Sequence, residues 1–204
     1  MENILLMLAH PRYEKSLSNK ALIEAARQLP CVMVHDLYEL YPDFNINVEH
    51  EHALLLQHGI IIWQYPLYMY SPPAILKQWM DLVLEHGWAH GAGGRNLENK
   101  LLLNAVTTGG SGDSYGPQGF NRYRLEVLLR PLEQTARLCR MVWLPVFTVQ
   151  GTFLLGPEQL NRYGLLYRRA LQRLSMRDFD PAGIRNHAFL NEWIESGEQR
   201  CAHD

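Results

Sequence analysis

The stretch AHPRYEKSLSN near the start of the chain combines a histidine with hydroxyl and amide side chains where a helix is predicted to begin. Free N–H groups and hydroxyls at a helix N-terminus, with the positive end of the helix dipole, bind phosphate. A serine alone at such a position is more often a simple helix cap, so that role stays open. The chain contains neither GxGxxG nor GxxxxGK[ST], so no dinucleotide fingerprint or Walker loop is present. The candidate phosphate ligands are His10, Ser16, Leu17, Ser18 and Asn19.

A second stretch, QYPLYMYSPP, places aromatic and apolar side chains in a loop that would ordinarily be polar. Exposed side chains of this kind cost free energy unless a flat apolar ligand or another subunit covers them. Plain core packing is the alternative, and we favour contact with a cofactor. The candidate residues are Pro66, Leu67, Tyr68, Met69 and Tyr70.

A third stretch, AVTTGG, ends an apolar run on small residues. Without large side chains, its backbone can approach a planar ring and direct N–H groups at the polar edge of that ring. Glycine pairs also mark many ordinary turns, so this stretch is weak evidence by itself. The candidate residues are Thr107, Thr108, Gly109 and Gly110.

Apolar runs of strand length alternate along the chain with segments of helical period. This alternation predicts βαβ units and a parallel sheet that is covered on both faces. Five strands and five helices are typical of the flavodoxin-like α/β fold, a five-stranded parallel sheet of order 2-1-3-4-5 with helices on both faces. The predicted strands are residues 3–9, 32–36, 59–65, 101–107 and 141–148, and the predicted helices are residues 18–29, 48–58, 73–86, 123–138 and 157–174.

Ligands of this fold bind beyond the carboxyl ends of the strands. Each of the three stretches follows a predicted strand, so we expect all three at the same edge of the sheet. They offer a phosphate site, an aromatic wall and a backbone open to close approach, which are the parts that a flavin mononucleotide (FMN) needs. The sequence therefore predicts an FMN site at this edge.

Two elements carry further information. Pro145 lies inside the fifth predicted strand and cannot donate to a ladder, so that strand is predicted to be an edge strand or to bulge there.

The helix predicted at residues 73–86 has a wide apolar stripe that includes Trp79. Such a stripe is usually core, and burial in a subunit interface is the second interpretation.

The pattern changes after about Ser175 to the turn-rich MRDFDPAGIRN and then to a short amphipathic piece with a polar tail. We therefore predict a flavin-binding domain at residues 1–175 and a C-terminal extension at residues 176–204 that is not a separate domain. The tail either packs on a partner or frays.

Composition excludes several classes of protein. The 204 residues are 47% hydrophobic and carry a formal net charge of -2, so no broad electropositive field exists to hold nucleic acid. The three cysteines are odd in number and widely spaced, which argues against disulfides and thiolate zinc sites and favours reduced thiols in a cytoplasmic protein. Neither a signal peptide nor a membrane span is expected.

The chain resembles the flavodoxin-like NAD(P)H:quinone oxidoreductases, which include DT-diaphorase. Within them it is most similar to the ancillary flavoproteins of bacterial glutathione-regulated potassium-efflux systems. The likeness covers about residues 3–175. It rests on AHP followed by SLSN, on LYELYPDFNI, on WQYPLYMYSPPAILKQWMD, on HGWAHGAGG and on AVTTGG.

The resemblance implies a homodimer with one flavin per subunit at the interface, and hydride transfer from NAD(P)H to a quinone. The chain length is closer to that of the smaller FMN-type members, so FMN is expected, with FAD as the alternative. The non-enzymatic alternative is a regulatory subunit that binds a potassium-efflux antiporter at the inner face of the membrane. A one-electron carrier of flavodoxin type is disfavoured because that group is strongly acidic.

Residue by residue, the resemblance implies that His10 and residues 16–19 hold the flavin's phosphate and ribityl chain. Residues 67–70 would line its ring, and residues 107–110 would contact the pyrimidine edge. Tyr115 matches a tyrosine that assists in charge and proton handling, and Asn121 stands where the family pattern has a histidine. Asparagine has no titratable proton near neutral pH. Met69 likewise replaces an aromatic residue that commonly faces the flavin.

The remaining histidines do not predict a metal site. Glycines 87 and 91 interrupt any helix that would pair His86 with His90, and His50-Glu51-His52 is interpreted as an exposed turn. The segment HGWAHGAGG is predicted to form a flexible wall over the pocket, with Trp88 bordering the substrate.

Overall fold

The sheet confirms the predicted flavodoxin-like order. The structure, a computed structural model, describes residues 1–201, except for the side chains of residues 181, 182 and 198–201. All strand pairs in this part are parallel, in the order β2-β1-β3-β4-β5, and β6 pairs with β4 beyond β5. The strands are β1 Ile4–Leu8, β2 Val32–Asp36, β3 Ile60–Pro66, β4 Leu101–Thr107, β5 Val142–Trp143 and β6 Phe147–Val149.

The fifth predicted strand is divided at Pro145 into β5 and β6, as the proline predicts. β5 pairs with Leu101 and Leu102, and β6 pairs with residues 105–107 farther along β4. Both pieces lie at the edge of the sheet, where the missing N–H of proline removes no bond from an inner ladder.

All five predicted helical segments form, although the first ends at Ala26 and the structure adds a short unpredicted helix at Leu37–Leu40. The segment 123–138 forms two helices instead of one, because Pro131 begins a new helix at its first turn. The helix predicted at residues 73–86 ends at Val83. The helices are α1 Leu17–Ala26, α2 Leu37–Leu40, α3 Val48–Gln57, α4 Ala74–Val83, α5 Leu125–Leu128, α6 Arg130–Leu138, α7 Pro157–Ser175, α8 Pro181–Ile184 and α9 Leu190–Cys201.

Each face of the sheet has its own apolar core. The core that contains Trp63 and Trp79 lies under α3, α4 and α6, and the core that contains Tyr167 lies under α1, α7 and α9. The stripe of α4 belongs to the first core, with Ile75 and Trp79 exposed by only 0% and 1%. The structure therefore confirms the core interpretation of that stripe. Among residues 1–201, no helix combines the length and the apolar character needed to cross a membrane.

The C-terminal extension packs against the same body. Ile184, Leu190 and Ile194 are buried in the core that contains β1 and β4, and Trp193 lies under the guanidinium of Arg173, 3.9 Å from its ring centre. This packing supports one domain, and the division at residue 175 stays a prediction. Residues 202–204, the end of the predicted polar tail, and the thiol of Cys201 lie outside the described part.

Candidate functional site

The first loop leads from β1 into the N-terminus of α1. Ser16 caps this helix, because its Oγ accepts hydrogen bonds from the backbone N and the Nδ2 of Asn19, each at 3.2 Å. The N–H groups of Leu17 and Ser18 follow the cap and have no intrahelical acceptor. Two backbone donors and the hydroxyls of Ser16 and Ser18 therefore lie at the positive end of the α1 dipole.

His10 lies just after β1 and is buried, with 6% exposure. Its Nδ1 accepts the backbone N–H of Arg12 at 3.1 Å, so the neutral ring carries its proton on Nε2. Burial lowers the pKa of His10 below its ordinary value of 6.5, although its own backbone and Glu14 act in the opposite direction. At neutral pH His10 is thus a neutral donor through Nε2–H.

Asn19 is fully buried, and internal hydrogen bonds occupy its side chain. Its Nδ2 donates to Thr107 Oγ1 at 3.0 Å as well as to Ser16, and its Oδ1 accepts from Gln64 Nε2 at 3.1 Å. Gln64 in turn accepts from the hydroxyl of Tyr167 at 3.1 Å. The side chains of Asn19 and Thr107 therefore join α1 to β4 and position the loops, and the cofactor contacts predicted for these two residues stay predictions.

The second loop contains a tight turn closed by Tyr68 and Ser71, whose backbones exchange hydrogen bonds of 3.1 and 3.0 Å. The two central residues, Met69 and Tyr70, have positive φ values of 47° and 65°. This conformation costs about 1–2 kcal/mol per residue for side chains other than glycine. The side chain of Met69 is 89% exposed. Strain combined with an exposed apolar side chain is typical of a binding site.

Pro66 and Leu67 connect this turn to the sheet. Pro66 is buried at the end of β3, paired with Thr107, and Leu67 is half-buried. The N–H of Leu67 donates to the carbonyl of Thr107 at 2.8 Å. The base of the second loop is thereby fixed to the base of the third.

The third loop follows β4 and is held by the strand beside it. Thr108 donates its N–H to Val149 O at 2.9 Å and its hydroxyl to Gly110 O at 2.8 Å, and Gly151 N donates to Gly110 O at 2.8 Å. A Cβ added to Gly109 would meet the ring of Phe153 at 2.6 Å. No residue in the described part accepts the N–H of Gly109 or Gly110.

Tyr115 and Asn121 continue this loop. Tyr115 is half-buried, and a Cβ added to Gly110 would lie 3.3 Å from its ring. Asn121 is anchored by its N–H, which donates to Ser114 O at 2.9 Å, and its Oδ1 accepts from the hydroxyl of Tyr70 at 3.2 Å. Both residues therefore lie beside the glycines and the second loop.

The structure thus brings the three loops together at the carboxyl edge of the sheet. Asn19 and Thr107 join the first loop to the third, and Tyr70 and Asn121 join the second to the third. The rings of His10 and Tyr68, 6.0 Å apart, join the first to the second. In one chain this surface is open, since Tyr68 and Tyr70 are 47% and 50% exposed.

Sequence reasoning missed Phe153 and Leu154, which follow the last strand on the same edge. They are 89% and 79% exposed, and the Phe153 ring lies against Gly109. The sequence signal for these two residues is a pair of apolar side chains in the turn that begins at Gly151.

The interpretation of Glu51 as part of an exposed turn is wrong. Glu51 lies in the first turn of α3 but is 0% exposed, and its carboxylate accepts from His35 Nε2, Tyr41 OH and Trp79 Nε1 at 2.8, 2.5 and 2.7 Å. Together with His50, Glu51 and His35 bring three possible metal-ligating atoms within 4.8 Å. Three hydrogen-bond donors to this carboxylate account for its burial.

The HGWAHGAGG segment does not border the three loops within one chain. It precedes β4 and therefore lies towards the amino end of the sheet, and Trp88 stacks on His52 with ring centres 3.5 Å apart. His86 and His90 nevertheless approach each other, with ring centres 5.6 Å apart, through an isolated β-bridge that the prediction did not foresee.

Comparison with known proteins agrees with this geometry. A family model described as the flavodoxin-like fold, Flavodoxin_2, matches residues 2–174. The glutathione-regulated potassium-efflux system ancillary protein KefG of Cronobacter sakazakii is 46% identical over 168 residues, which are 82% of this chain and 91% of that protein.

Two solved structures are also similar. The general stress protein 14 of Treponema denticola, in complex with FMN, is 34% identical with a TM-score of 0.81, and the match covers 84% of this chain and 99% of that one. An NADPH-quinone reductase from P. pentosaceus is 32% identical with a TM-score of 0.76, covering 85% and 97% of the two chains.

Proposed function

The chain belongs to the Flavodoxin_2 family of flavodoxin-like proteins, and on this premise we propose that it is an FMN-dependent NAD(P)H:quinone oxidoreductase. The observation that carries the proposal is the hydrogen bond between Asn19 and Thr107, which holds the N-terminus of α1 beside the glycines after β4. The proposed phosphate site and the proposed site for the polar edge of the ring would therefore lie next to each other. The FMN complex of a 34% identical protein supports the same choice of cofactor.

The donors present fit FMN. The N–H groups of Leu17 and Ser18, the hydroxyls of Ser16 and Ser18 and the Nε2–H of His10 would hold the phosphate and the ribityl chain. Residues 67–70 would line one side of the ring. The N–H groups of Gly109 and Gly110 would contact its pyrimidine edge, where a side chain at Gly109 would meet Phe153.

When bound, FMN supplies hydride acceptance from NAD(P)H and hydride donation to a quinone. The chain's own contribution is orientation and charge stabilisation. The N–H groups of Gly109 and Gly110 and the hydroxyl of Tyr115 would stabilise negative charge on the ring. Backbone hydrogen bonds to the carbonyl of Gly110 and from the N–H of Tyr115 hold this part of the loop in place. The nicotinamide and the quinone share one open face in turn, which implies ping-pong kinetics.

Asn121 holds Tyr70 instead of acting as an acid or a base. Its Oδ1 accepts from the hydroxyl of Tyr70, and an amide has no proton to transfer near neutral pH. We therefore assign the proton that quinone reduction requires to solvent.

We further propose a homodimer that completes the site. Met69, Phe120 and Phe153 are 89%, 88% and 89% exposed in one chain, beside or within the loops of the site. Such a group of exposed apolar side chains is typical of a surface that a second subunit or a ligand covers. A second copy of the chain would cover the open side of the flavin ring.

A second candidate function rests on the relative from Cronobacter sakazakii, which is named as an ancillary protein of a potassium-efflux system. In this role the chain would be a cytoplasmic regulatory subunit at the inner face of the membrane, bound to an antiporter. The two roles can coexist in one protein.

The first test is the absorption spectrum of the freshly purified protein, with mass identification of the released nucleotide. We expect FMN, and we expect NADH or NADPH to reduce a benzoquinone in steady-state assays. The variant Gly109→Val should lose flavin, because its side chain occupies the approach to the loop. Gly156→Ala is the matched control, since its Cβ would meet only Gln159 Oε1 at 3.8 Å.

A colourless protein that takes up neither FMN nor FAD would overturn the proposal. Bound FMN without quinone reduction, together with co-purification of an antiporter, would favour the regulatory role.

A further inference from the structure

The outer edge of β6 is covered by the C-terminal extension. Leu190 N donates to Val146 O at 3.0 Å. Thr148 exchanges two hydrogen bonds with the side chain of Asn191. Thr148 N donates to Asn191 Oδ1 at 2.9 Å, and Asn191 Nδ2 donates to Thr148 O at 3.0 Å. The amide of Asn191 thus satisfies both outward backbone groups of Thr148, as a neighbouring strand would.

The extension that presents Asn191 is firmly attached. Leu190 and Ile194 are 0% and 2% exposed, so their apolar side chains are removed almost completely from water, which stabilises the docked position of the extension. The ring of Trp193 packs under Arg173, and Glu195 pairs with Arg162 at 3.1 Å on the α7 surface. Asn191 is therefore held against β6 from an anchored helix.

The residues beside Thr148 hold the third loop of the site. Val149 O accepts the N–H of Thr108 at 2.9 Å, and two residues later Gly151 N donates to Gly110 O at 2.8 Å. Thr152 N also donates to Thr108 O at 3.0 Å. A displacement of β6 would therefore move the backbone of Thr108 and Gly110 directly.

We propose that Asn191 is a positioning residue for the loop at residues 108–110, acting through β6. This inference rests on the proposed function for its consequence, the affinity for FMN. It assigns a role to the extension, which lies beyond the part of the chain that the family model matches. Without the amide of Asn191, both backbone groups of Thr148 face the edge of the sheet with no protein partner.

The test compares Asn191→Leu, which removes both hydrogen bonds, with Asn191→Asp, which keeps the acceptor for Thr148 N–H and loses the donor. Asn186→Leu is the matched control, because Asn186 lies in the same extension with an exposed side chain. Backbone amide exchange is measured by NMR at Thr108, Gly151 and Thr152, and at Leu6 in β1 as a remote reference. The dissociation constant for FMN is measured on the same proteins by flavin fluorescence.

In Asn191→Leu we expect exchange at the three loop amides to be about tenfold faster or more, with Leu6 unchanged. The dissociation constant for FMN should rise about fivefold or more, while turnover at saturating FMN stays within about twofold. Asn191→Asp should lie between wild type and Asn191→Leu, and Asn186→Leu should match wild type.

Unchanged exchange at Thr108 and Gly151 in Asn191→Leu would overturn the proposal. Equal acceleration at Leu6 would also overturn it, because the amide would then stabilise the whole fold without any particular effect on the loop. If the wild-type protein binds no FMN, the proposed function fails, and the exchange data still decide whether Asn191 positions the loop.

Discussion

The hydroxyl of Tyr70 donates a 3.2 Å hydrogen bond to Oδ1 of Asn121, across 51 residues of sequence. This contact joins the strained turn after β3 to the loop after β4. It also defines the orientation of the Asn121 amide, because Oδ1 is the acceptor. At the position where the resemblance expects a titrating histidine, the chain therefore has a residue that holds an aromatic side chain in place.

We expect Asn121→His to introduce a pH-dependent proton donor. An imidazole has an ordinary pKa near 6.5, and general acid catalysis typically contributes about 10²-fold or more. Quinone reduction should therefore become faster as pH falls through about 6.5, whereas wild type shows no such rise. The measurement is kcat from pH 5.5 to 8. Asn121→Gln keeps an amide and is the control, and the same rise in that variant would contradict the assignment.

Tyr115→Phe should slow turnover and leave flavin binding intact. The substitution keeps the half-buried ring and removes only the hydroxyl that is proposed to face developing charge. Loss of one preorganised donor typically costs about 2.7–4 kcal/mol of barrier, so kcat should fall about 10²- to 10³-fold. Stopped-flow reduction and fluorescence titration with FMN measure the two effects separately. An unchanged kcat would remove Tyr115 from the mechanism.

Met69→Asn should stabilise the protein and weaken its binding of FMN. Asparagine adopts positive φ at lower cost than methionine, so we expect a gain of about 0.5–1 kcal/mol in the free energy of unfolding. The exposed apolar side chain, which is proposed to line the ring, is lost. Urea denaturation of the flavin-free protein and fluorescence titration test both effects. Met176→Asn is the control, because Met176 is half exposed with φ of -82°.

Asn19→Ala should destabilise the fold by about 2–3 kcal/mol, because it leaves Gln64 and Thr107 without their buried partner. Ser18→Ala, at the preceding position of the same helix, is the control for stability. Ser18 is proposed to bind phosphate, so this variant should keep wild-type stability within about 0.5 kcal/mol and lose affinity for FMN. If Asn19→Ala unfolds at the wild-type urea concentration, the positioning role of Asn19 is wrong.

Glu51 should make stability fall in acid. Burial by itself would raise the pKa of Glu51, but the hydrogen bonds and charge of His35, with hydrogen bonds from Tyr41 and Trp79, hold it below its ordinary value of 4.5. A carboxyl whose pKa is depressed by folding contributes its stabilisation fully above the unfolded pKa. This contribution is lost as pH falls from about 4.5 through the lower folded pKa.

Thermal unfolding from pH 3 to 7 measures this loss. In Glu51→Gln the decline between pH 5 and 3 should be shallower than in wild type. Glu49→Gln, an exposed change in the same first turn of α3, should keep the wild-type profile. Identical profiles for Glu51→Gln and wild type would show that other groups cause the decline.

The sequence alone was sufficient to predict the strand order and the meeting of three loops. Each inner strand of the sheet is a short apolar run. Residues 60–66 and 101–107, for example, are all buried. Because parallel strands direct their carboxyl ends to one edge, the position of the loops follows from a local pattern, and the strand order is that of the flavodoxin-like fold which this pattern indicates. The division of the fifth predicted strand at Pro145 could also be predicted, because the missing N–H is a property of the proline itself.

Tertiary structure alone decided which polar groups are free and which are used internally. Asn19 and Thr107 are 88 residues apart, and their buried hydrogen bond joins α1 to β4. The burial of Glu51 depends in the same way on donors from β2, α4 and the segment before α3. The cover of β6 by Asn191 depends on a helix that docks from outside the predicted domain. Whether a polar group faces solvent is set by partners distant in sequence, so no local pattern contains that information.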